Sequence, residues 1–289
     1  MASVKAFAPA KINLALHVGP PRAVGRHGLA SIVAFCDAGD WIEVEEGPPG
    51  LTVTGPFATA LAGEADNLVM RAIALIAPGR PVRVRLEKNL PVASGVGGGS
   101  ADAAAALRAV RLLLDLPLSD GALARMAGML GSDVPACVHS RAAVMRGTGE
   151  DISPIVLPDL FAVLVNPGVP LSTAAVYRCF DERAAWGGLD IQTPPSDTQA
   201  VIAALGLMRN DLEAASTDLA PEVGAALAAL RGLDGVRLGR MSGSGATCFG
   251  LTDNLDAARR FADRLRQHHP DWWICATRLG EIDVMPMRV

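Results

Sequence analysis

Alternating apolar and polar residues predict several strands in the first third of the chain. The clearest pattern is RPVRVRLEKNLP at 80–91, in which three apolar residues alternate with arginine and glutamate. A period of two is typical of a strand with one buried face. DWIEVEEG at 40–47 and LTVTG at 51–55 have the same character, and residues 4–18 are extended around a proline. These segments predict a sheet.

A period of 3.6 residues predicts the helices. The strongest pattern follows a glycine cluster and has one apolar face, formed by Ala103, Ala106, Leu107, Val110, Leu113 and Leu114. Arg108 lies off that face. Residues 119–130 predict a second helix that ends at Gly131. A further helix is predicted at 66–77, with Asp66 as its N-cap.

The second half of the chain contains both the two-residue period of strands and the 3.6-residue period of helices. Residues 160–180 predict a buried strand, a proline-glycine turn and a helix from about Ser172. VRLGRMSGSGATCFGLT predicts two strands joined by a turn, and WWICATRL predicts a last strand. Further helices are predicted at 199–207, 211–217, 221–231 and 255–268. A boundary near 155–160 predicts two domains, 1–157 and 158–289.

Composition and charge narrow the class of protein. Half of the 289 residues are hydrophobic, which allows a sizeable core, and the formal net charge is −4. A nucleic-acid binder usually carries a basic excess, so this charge argues against one. No apolar run reaches the roughly 18 residues of a membrane helix. We expect a cytoplasmic protein without nucleic-acid or membrane partners, as a monomer or a weak homodimer.

The five cysteines lie far apart and include no CxxC pair. Their spacing does not suit a metal site, so we assign no residue to a metal and expect reduced, buried thiols.

The glycine cluster in PVASGVGGGSADAA lies between a predicted strand and a predicted helix. Helix N-termini carry unpaired N–H groups and a partial positive charge, and glycine lets a phosphate come close to them. The hydroxyl of Ser100 could meet a phosphate or its metal ion. The loop lacks the lysine of a Walker A motif, and its glycines are too contiguous for a Rossmann fingerprint. The pattern favours phosphate binding, with a tight packing turn as the alternative.

Three other segments have two interpretations each. MSGSGATCFG at 241–250 is a second glycine cluster, which suits a ligand between two lobes or a plain hairpin turn. In APAKINLAL, Lys11 and Asn13 share one side of an extended segment. They belong to a site or to a solvated edge strand. Asp133 in GSDVPACV is a functional carboxylate or an ordinary helix N-cap.

Together these segments resemble a known family. PAKINL, LPVASGVGGGSADAA, GSDVP and MSGSGATCF occur in the order and at the spacings of the GHMP superfamily of small-molecule kinases. GRHGL, NPGVPLSTAAVY and RNDLE narrow the resemblance to kinases of a cytidyl diphosphate sugar alcohol. The resemblance implies an α+β fold with two lobes. These would be an N-terminal mixed α/β nucleotide-binding lobe and a C-terminal α+β lobe of the ferredoxin-like type.

The resemblance also implies the catalytic and nucleotide residues. Asp133 would be the base for the substrate hydroxyl, and Lys11 would lie beside it. ATP and Mg²⁺ would be required. The ATP phosphates would lie on the glycine loop, at Pro91, Val92, Ala93, Ser94, Gly95, Val96, Gly97, Gly98, Gly99, Ser100 and Ala101.

The same resemblance implies a substrate site. Asn13 and Thr173 would contact the substrate, His27 would read the edge of its cytosine, and Tyr177 would stack on that base. Tyr177 is the single tyrosine of the chain. Arg26 stands where the family often has a tyrosine against the base, and a guanidinium can also stack on a ring.

The implied function is ATP-dependent phosphorylation of the sugar alcohol in the non-mevalonate isoprenoid pathway. The alternatives are a mevalonate- or homoserine-type kinase of the same superfamily, a decarboxylating relative, and a non-catalytic nucleotide-binding module. Fold similarity does not guarantee chemistry. The Lys11 and Asp133 pair argues against a non-catalytic module, which would not need it. His27 and Tyr177 argue against a substrate that lacks a nucleobase.

Overall fold

The structure of the protein is a computed structural model that describes residues 3–21, 27–62, 66–184 and 186–289. The strands in these ranges are β1 (Ser3–Pro21), β2 (His27–Glu46), β3 (Gly50–Thr54), β4 (Val82–Glu87), β5 (Ala143–Gly147), β6 (Asp151–Pro154), β7 (Leu160–Asn166), β8 (Leu238–Met241), β9 (Cys248–Thr252), β10 (Trp273–Gly280) and β11 (Met287–Arg288). The α-helices are α1 (Leu68–Ile76), α2 (Gly98–Leu113), α3 (Asp120–Ala127), α4 (Val134–His139), α5 (Thr173–Arg183), α6 (Thr198–Gly206), α7 (Glu213–Leu219), α8 (Pro221–Arg231) and α9 (Leu255–His268). Ala58–Leu61 form a short 3₁₀ helix.

The long strand β2 organises the sheet. One of its edges pairs with β1 in antiparallel fashion from end to end. Its other edge pairs successively with β5, β10 and β4. Val82, Val84 and Leu86 of β4 are buried, and the residues between them are exposed. The alternation in the sequence therefore predicted this strand and its buried face correctly.

The alanine-rich helix α2 packs against β1, β2, α1 and α4. Its small side chains allow close approach, and Ala101 to Ala106 are all buried. Arg108 lies off the predicted apolar face but is only 3% exposed. Its guanidinium donates hydrogen bonds to the carbonyl oxygens of Cys137 and Phe7, each at 2.7 Å. These bonds tie α2 to the end of α4 and to β1, which the helical period could not indicate.

The C-terminal half has the ferredoxin-like topology that the resemblance implied. Its strands follow the order β10-β7-β9-β8, and each neighbouring pair is antiparallel. Numbered along the chain, this is the order 4-1-3-2 of a βαββαβ unit. The two-lobed α+β class is confirmed. The predicted boundary at 157/158 falls between β6 and β7, and it stays a prediction.

The two halves share a core. Ile12 and Ile32 from the N-terminal half lie in one buried cluster with Leu164 and Phe249 from the C-terminal half. This common core fixes the position of β1 relative to β7 and β9, which places N-terminal and C-terminal residues on one cleft.

Two predicted helix ends were wrong. Asn67, not Asp66, is the N-cap of α1, and its side chain accepts a hydrogen bond from the backbone N–H of Val69. Helix α3 ends at Ala127 with Gly128 as its C-cap, rather than at Gly131. All five cysteines are free thiols, and three are buried. None of the helices in the described ranges has the length and apolar character that a bilayer crossing requires.

Candidate active site

One cleft of about 890 Å³ collects most of the predicted site residues. Its volume suits a small molecule. It is lined by predicted residues of both halves, namely Lys11, Asn13, His27, Pro91 to Gly95, Gly97 to Ser100, Asp133, Thr173 and Tyr177. Val96 and Ala101 do not line it, because their side chains are buried in the two hydrophobic clusters below the loop. Arg26 lies outside the described residues.

The predicted phosphate loop, Pro91–Ala101, runs into the N-terminus of α2. Gly97 is the N-cap residue and has φ 63°, a left-handed conformation that glycine adopts without strain. Glycine has no side chain that could cap the helix. The first N–H groups of α2 therefore have no cap from this residue, and they lie at the cleft, where the helix dipole is positive. This arrangement suits an anion.

The second glycine cluster is both a hairpin turn and part of the site. It joins β8 to β9, and its Gly243 and Ser244 line the cleft. Ser242 Oγ accepts a hydrogen bond from the backbone N–H of Asn13 at 3.0 Å and donates one to Gly95 O at 2.9 Å. A Cβ atom at Gly95 would lie 2.4 Å from Ser242 O. The two glycine loops therefore hold each other in place at backbone distance.

Lys11 and Asn13 are buried, so the interpretation as a solvated edge strand is wrong. Their side chains are 3% and 6% exposed, and Lys11 Nζ donates to Asn13 Oδ1 at 2.8 Å. The edge of β1 at Lys11 is covered by the phosphate loop, because the Lys11 N–H donates to Val96 O at 2.8 Å. Register shifts in the pairing with β2 lie on both sides of these two residues. Such irregularities are common beside functional sites.

Asp133 occupies the N-cap position of α4 but does not act as a cap. Its side chain accepts no hydrogen bond from the helix. Instead its Oδ2 lies 3.5 Å from Lys11 Nζ, and the side chain is 40% exposed at the cleft. The interpretation as an ordinary cap is therefore wrong, and the site has a cation next to an accessible carboxylate.

The far end of the cleft contains two neighbouring rings. The centroids of His27 and Tyr177 are 5.0 Å apart, with an angle of 37° between the rings. His27 Nδ1 donates to Gly19 O at 2.9 Å, and its Nε2 lies 3.3 Å from Asp181 Oδ2. Burial, together with the negative charges of Asp133 and Asp181, raises the pKa of Tyr177 to about 12. The tyrosine is therefore a neutral ring with a hydroxyl group.

Thr173 lies two turns before Asp181 on α5, at the same cleft. Its Oγ1 is 2.9 Å from the Oγ of Ser244 in the second glycine loop. Helix α5 therefore connects the ring pair to the glycine loops.

The sequence interpretation missed a buried ionic cluster below the phosphate loop. Lys88 Nζ lies 2.5 Å from Asp40 Oδ2 and 2.6 Å from Asp102 Oδ2, and all three side chains are at most 3% exposed. Asp40 Oδ1 also accepts the backbone N–H of Leu90 at 2.8 Å. A Cβ atom at Gly98 would lie 3.1 Å from Lys88 Nζ. The cluster therefore supports both ends of the loop.

The pKa values of Lys88 and Asp102 in this cluster both differ from their ordinary values. Burial alone would lower the pKa of Lys88, but the charges of Asp102 and Asp40 outweigh it and raise that pKa. Burial raises the pKa of Asp102 from 3.8 to about 8, against the opposing charge of Lys88. Asp102 Oδ1 is buried and has no hydrogen-bond partner among the described residues. One cation thus faces two acids in a site closed to water.

Comparison with known proteins decides the family. A model of the GHMP kinases N terminal domain matches residues 67–141, and a model of GHMP kinases C terminal matches residues 196–271. A 4-diphosphocytidyl-2-C-methyl-D-erythritol kinase of Paracoccus denitrificans (strain Pd 1222) is 47% identical over 282 residues, which cover 94% of this chain and 96% of that protein. The chain belongs to the GHMP kinase family.

Solved structures agree with this assignment. This GHMP kinase superposes on the crystal structure of a 4-(cytidine 5'-diphospho)-2C-methyl-D-erythritol kinase with a TM-score of 0.77 and 35% identity, covering 96% of this chain and 100% of that one. A homoserine kinase from Cytophaga hutchinsonii is 17% identical with a TM-score of 0.68, covering 99% and 97% of the two chains. The second likeness shows the common fold alone. The protein is thus a small-molecule kinase that takes ATP as its phosphate donor.

Proposed function

We propose that this kinase transfers the γ-phosphoryl group of ATP to the 2-hydroxyl of 4-diphosphocytidyl-2-C-methyl-D-erythritol, releasing ADP and the 2-phosphate. The observation that supports this most is the position of Lys11 and Asp133. They lie in one cleft, between an anion site at the start of α2 and the ring pair of His27 and Tyr177.

The chemical step follows from these groups. Asp133 is an accessible carboxylate and accepts the proton of the substrate hydroxyl, which then attacks the γ-phosphorus as the bond to ADP breaks. Phosphoryl transfer depends mainly on in-line positioning and on neutralising charge. Lys11 supplies a fixed cation beside the hydroxyl, and Asn13 holds that cation through its Oδ1. The N–H groups at the start of α2 hold the phosphates.

The residues at the start of α2 also fit a magnesium ion bound to the nucleotide. Mg²⁺ keeps several waters and binds through phosphates and only one or two protein oxygens. Ser100 lines the cleft at the helix start and offers a hydroxyl. No three His, Cys, Asp or Glu side chains gather as metal ligands within the described ranges, so a complete protein cage is not expected. When bound, the ion neutralises phosphate charge.

The ring pair is the proposed base subsite. Tyr177 offers a face on which cytosine can stack, and base–aromatic stacking is worth about 1–3 kcal/mol. His27 lies next to that ring, with the two centroids 5.0 Å apart, and it reads the edge of the cytosine. Thr173, four residues before Tyr177 on α5, faces the same cleft and contacts the linker between the base and the sugar alcohol. Mevalonate and homoserine contain no nucleobase, so these residues would have nothing to bind in either substrate.

The test is a coupled assay of ADP release with ATP, Mg²⁺ and one acceptor at a time. We expect turnover with 4-diphosphocytidyl-2-C-methyl-D-erythritol and none with mevalonate or homoserine. Tyr177→Ala should raise the KM for the cytidyl substrate about tenfold while leaving the KM for ATP unchanged. No turnover with any acceptor, from folded protein that binds ATP, would contradict the proposal.

A further inference from the structure

We propose that Asp181 is a specificity-determining residue of the base subsite. Its carboxylate provides the acceptor that selects a base with an exocyclic amine, and therefore cytosine over uracil. This inference rests on the proposed function, because it assumes that the base stacks on Tyr177 beside His27.

The position of Asp181 on α5 places it at the base. It follows Thr173 by eight residues and Tyr177 by four, a spacing that puts all three on one face of a helix. All three line the cleft. The charge of Asp181 reaches the Tyr177 hydroxyl, since it contributes to the raised pKa of that tyrosine. A base stacked on Tyr177 therefore lies within the field of this carboxylate.

Within the described part of the chain, Asp181 has one ion-pair partner and one oxygen atom without a hydrogen-bond partner. The partner is His27, whose Nδ1 donates to Gly19 O and whose Nε2 lies 3.3 Å from Asp181 Oδ2. Asp181 Oδ1 is buried and has no partner among the described residues. The side chain is nonetheless 35% exposed. Because Oδ1 is covered, Oδ2 is the oxygen atom that can face the cleft, next to His27.

The chemistry of the two pyrimidines then determines the preference. An ionised carboxylate only accepts hydrogen bonds. Cytosine presents an N4 amine as a donor, and carboxylates are its usual protein partner. Uracil presents an O4 carbonyl at the same position, which would face the carboxylate with two acceptors and no hydrogen. A buried acceptor without a donor costs free energy. Asp181 therefore attracts one base and repels the other.

A purely structural role for Asp181 makes a different prediction. If the carboxylate only oriented His27, its removal would weaken both bases equally. Asp181→Asn separates the two roles, because an amide keeps the size and one acceptor while adding a donor for a uracil O4. Glu182→Gln is the matched control, since Glu182 is the next residue on α5, is exposed, and does not line the cleft.

The experiment compares 4-diphosphocytidyl-2-C-methyl-D-erythritol with its uridyl counterpart in steady-state kinetics. We expect the unmodified enzyme to prefer the cytidyl substrate at least about tenfold in kcat/KM, the scale of one hydrogen bond to a charged group. Asp181→Asn should raise the KM for the cytidyl substrate about tenfold, leave that for the uridyl substrate unchanged or lower, and change kcat little. Glu182→Gln should match the unmodified enzyme.

Calorimetric binding of CDP and UDP provides a second measurement that does not need turnover. A preference for CDP that Asp181→Asn abolishes would support the inference even if the proposed acceptor were not phosphorylated. An equal loss for both bases, or no change in the ratio, would overturn it. Absence of turnover with retained CDP preference would instead count against the proposed function.

Discussion

Two lysines contact successive glycines of the phosphate loop, and their acidic partners differ in exposure. Lys11 lies against Gly97 and faces Asp133, whose side chain is 40% exposed. Lys88 lies against Gly98 and faces Asp40 and Asp102, which are closed to solvent. An accessible carboxylate can exchange a proton with a ligand, whereas a buried acid cannot reach one. Both lysines have acidic partners, so an ion pair alone does not indicate a role. The exposure of the acid distinguishes a residue that can react with a ligand from one that supports the loop.

The largest expected effect comes from removing the accessible acid. Asp133→Asn keeps the shape of the side chain but removes the base, so kcat should fall about 10²–10⁴-fold. The thermal midpoint and the affinity for ATP should change little, because Lys11 keeps its bond to Asn13. Asp120→Asn, at an exposed ion pair with Arg111, is the control and should retain activity. A loss of ATP binding together with kcat would assign Asp133 to support rather than to chemistry.

The opposite result is expected for the buried cluster. Lys88→Met removes the cation that faces the buried acids Asp40 and Asp102, which should lower the free energy of unfolding by about 3–5 kcal/mol. Arg85→Met removes an exposed partner of Glu43 and should cost at most about 1 kcal/mol. Denaturant titrations of both variants measure the difference. Equal stabilities would show that Lys88 does not support the loop.

The pH dependence of stability tests the state of Asp102. Its folded-state pKa of about 8 lies above the ordinary value of 3.8. Between these values the unfolded chain has lost a proton that the folded protein keeps. The contribution of Asp102 to stability therefore falls as pH rises, by at most about 1.4 kcal/mol per pH unit.

Asp102→Asn removes this titration. Its stability relative to the unmodified protein should increase between about pH 5 and about pH 8. Denaturant titrations across that range check the slope, and Asp115→Asn, at the exposed end of the same helix, is the control. A difference that stays constant with pH would contradict the raised pKa.

The smallest expected effect concerns the contact between the glycine loops. Ser242→Ala removes the hydroxyl that bridges Asn13 and Gly95, at a cost of about 1 kcal/mol. The KM for ATP should rise a few-fold because the loop is less fixed. Ser153→Ala, on an exposed strand, is the control. An unchanged KM would mean that the backbone contacts alone hold the loop.

Local patterns in the sequence predicted much of the site because its key residues lie in short segments. Lys11 and Asn13 are two residues apart, and the glycine loop is contiguous with the helix that it begins. Two of the four ambiguous segments could be decided only by the three-dimensional structure. Lys11 was compatible with a solvated edge, and Asp133 with a cap, until the covering loop and the missing cap bond were known.

The buried cluster could not be predicted because it depends on strand register. Asp40 and Lys88 are neighbours only because Trp41 pairs with Glu87 between β2 and β4, and alternation does not fix that pairing. Arg108 shows a similar limit, since its buried partners are carbonyl groups of distant residues. The position of Asp181 could have been inferred locally, because it follows Tyr177 by four residues on a predicted helix.

The position of β10 in the sheet determines when the sheet can be completed during translation. It joins the two halves by pairing with β2 at Cys36 and Phe35 and with β7 along its length, while the short β11 pairs with β1. Trp273–Gly280 comes after all the other strands of the C-terminal lobe that it joins to β2. A nascent chain can therefore form the β1–β2 hairpin early, but the sheet becomes continuous across the two lobes only after β10 has been translated. Until then the edge of β2 at Phe35 and Cys36 lacks its partner strand, and an unpaired strand edge is a template for aggregation.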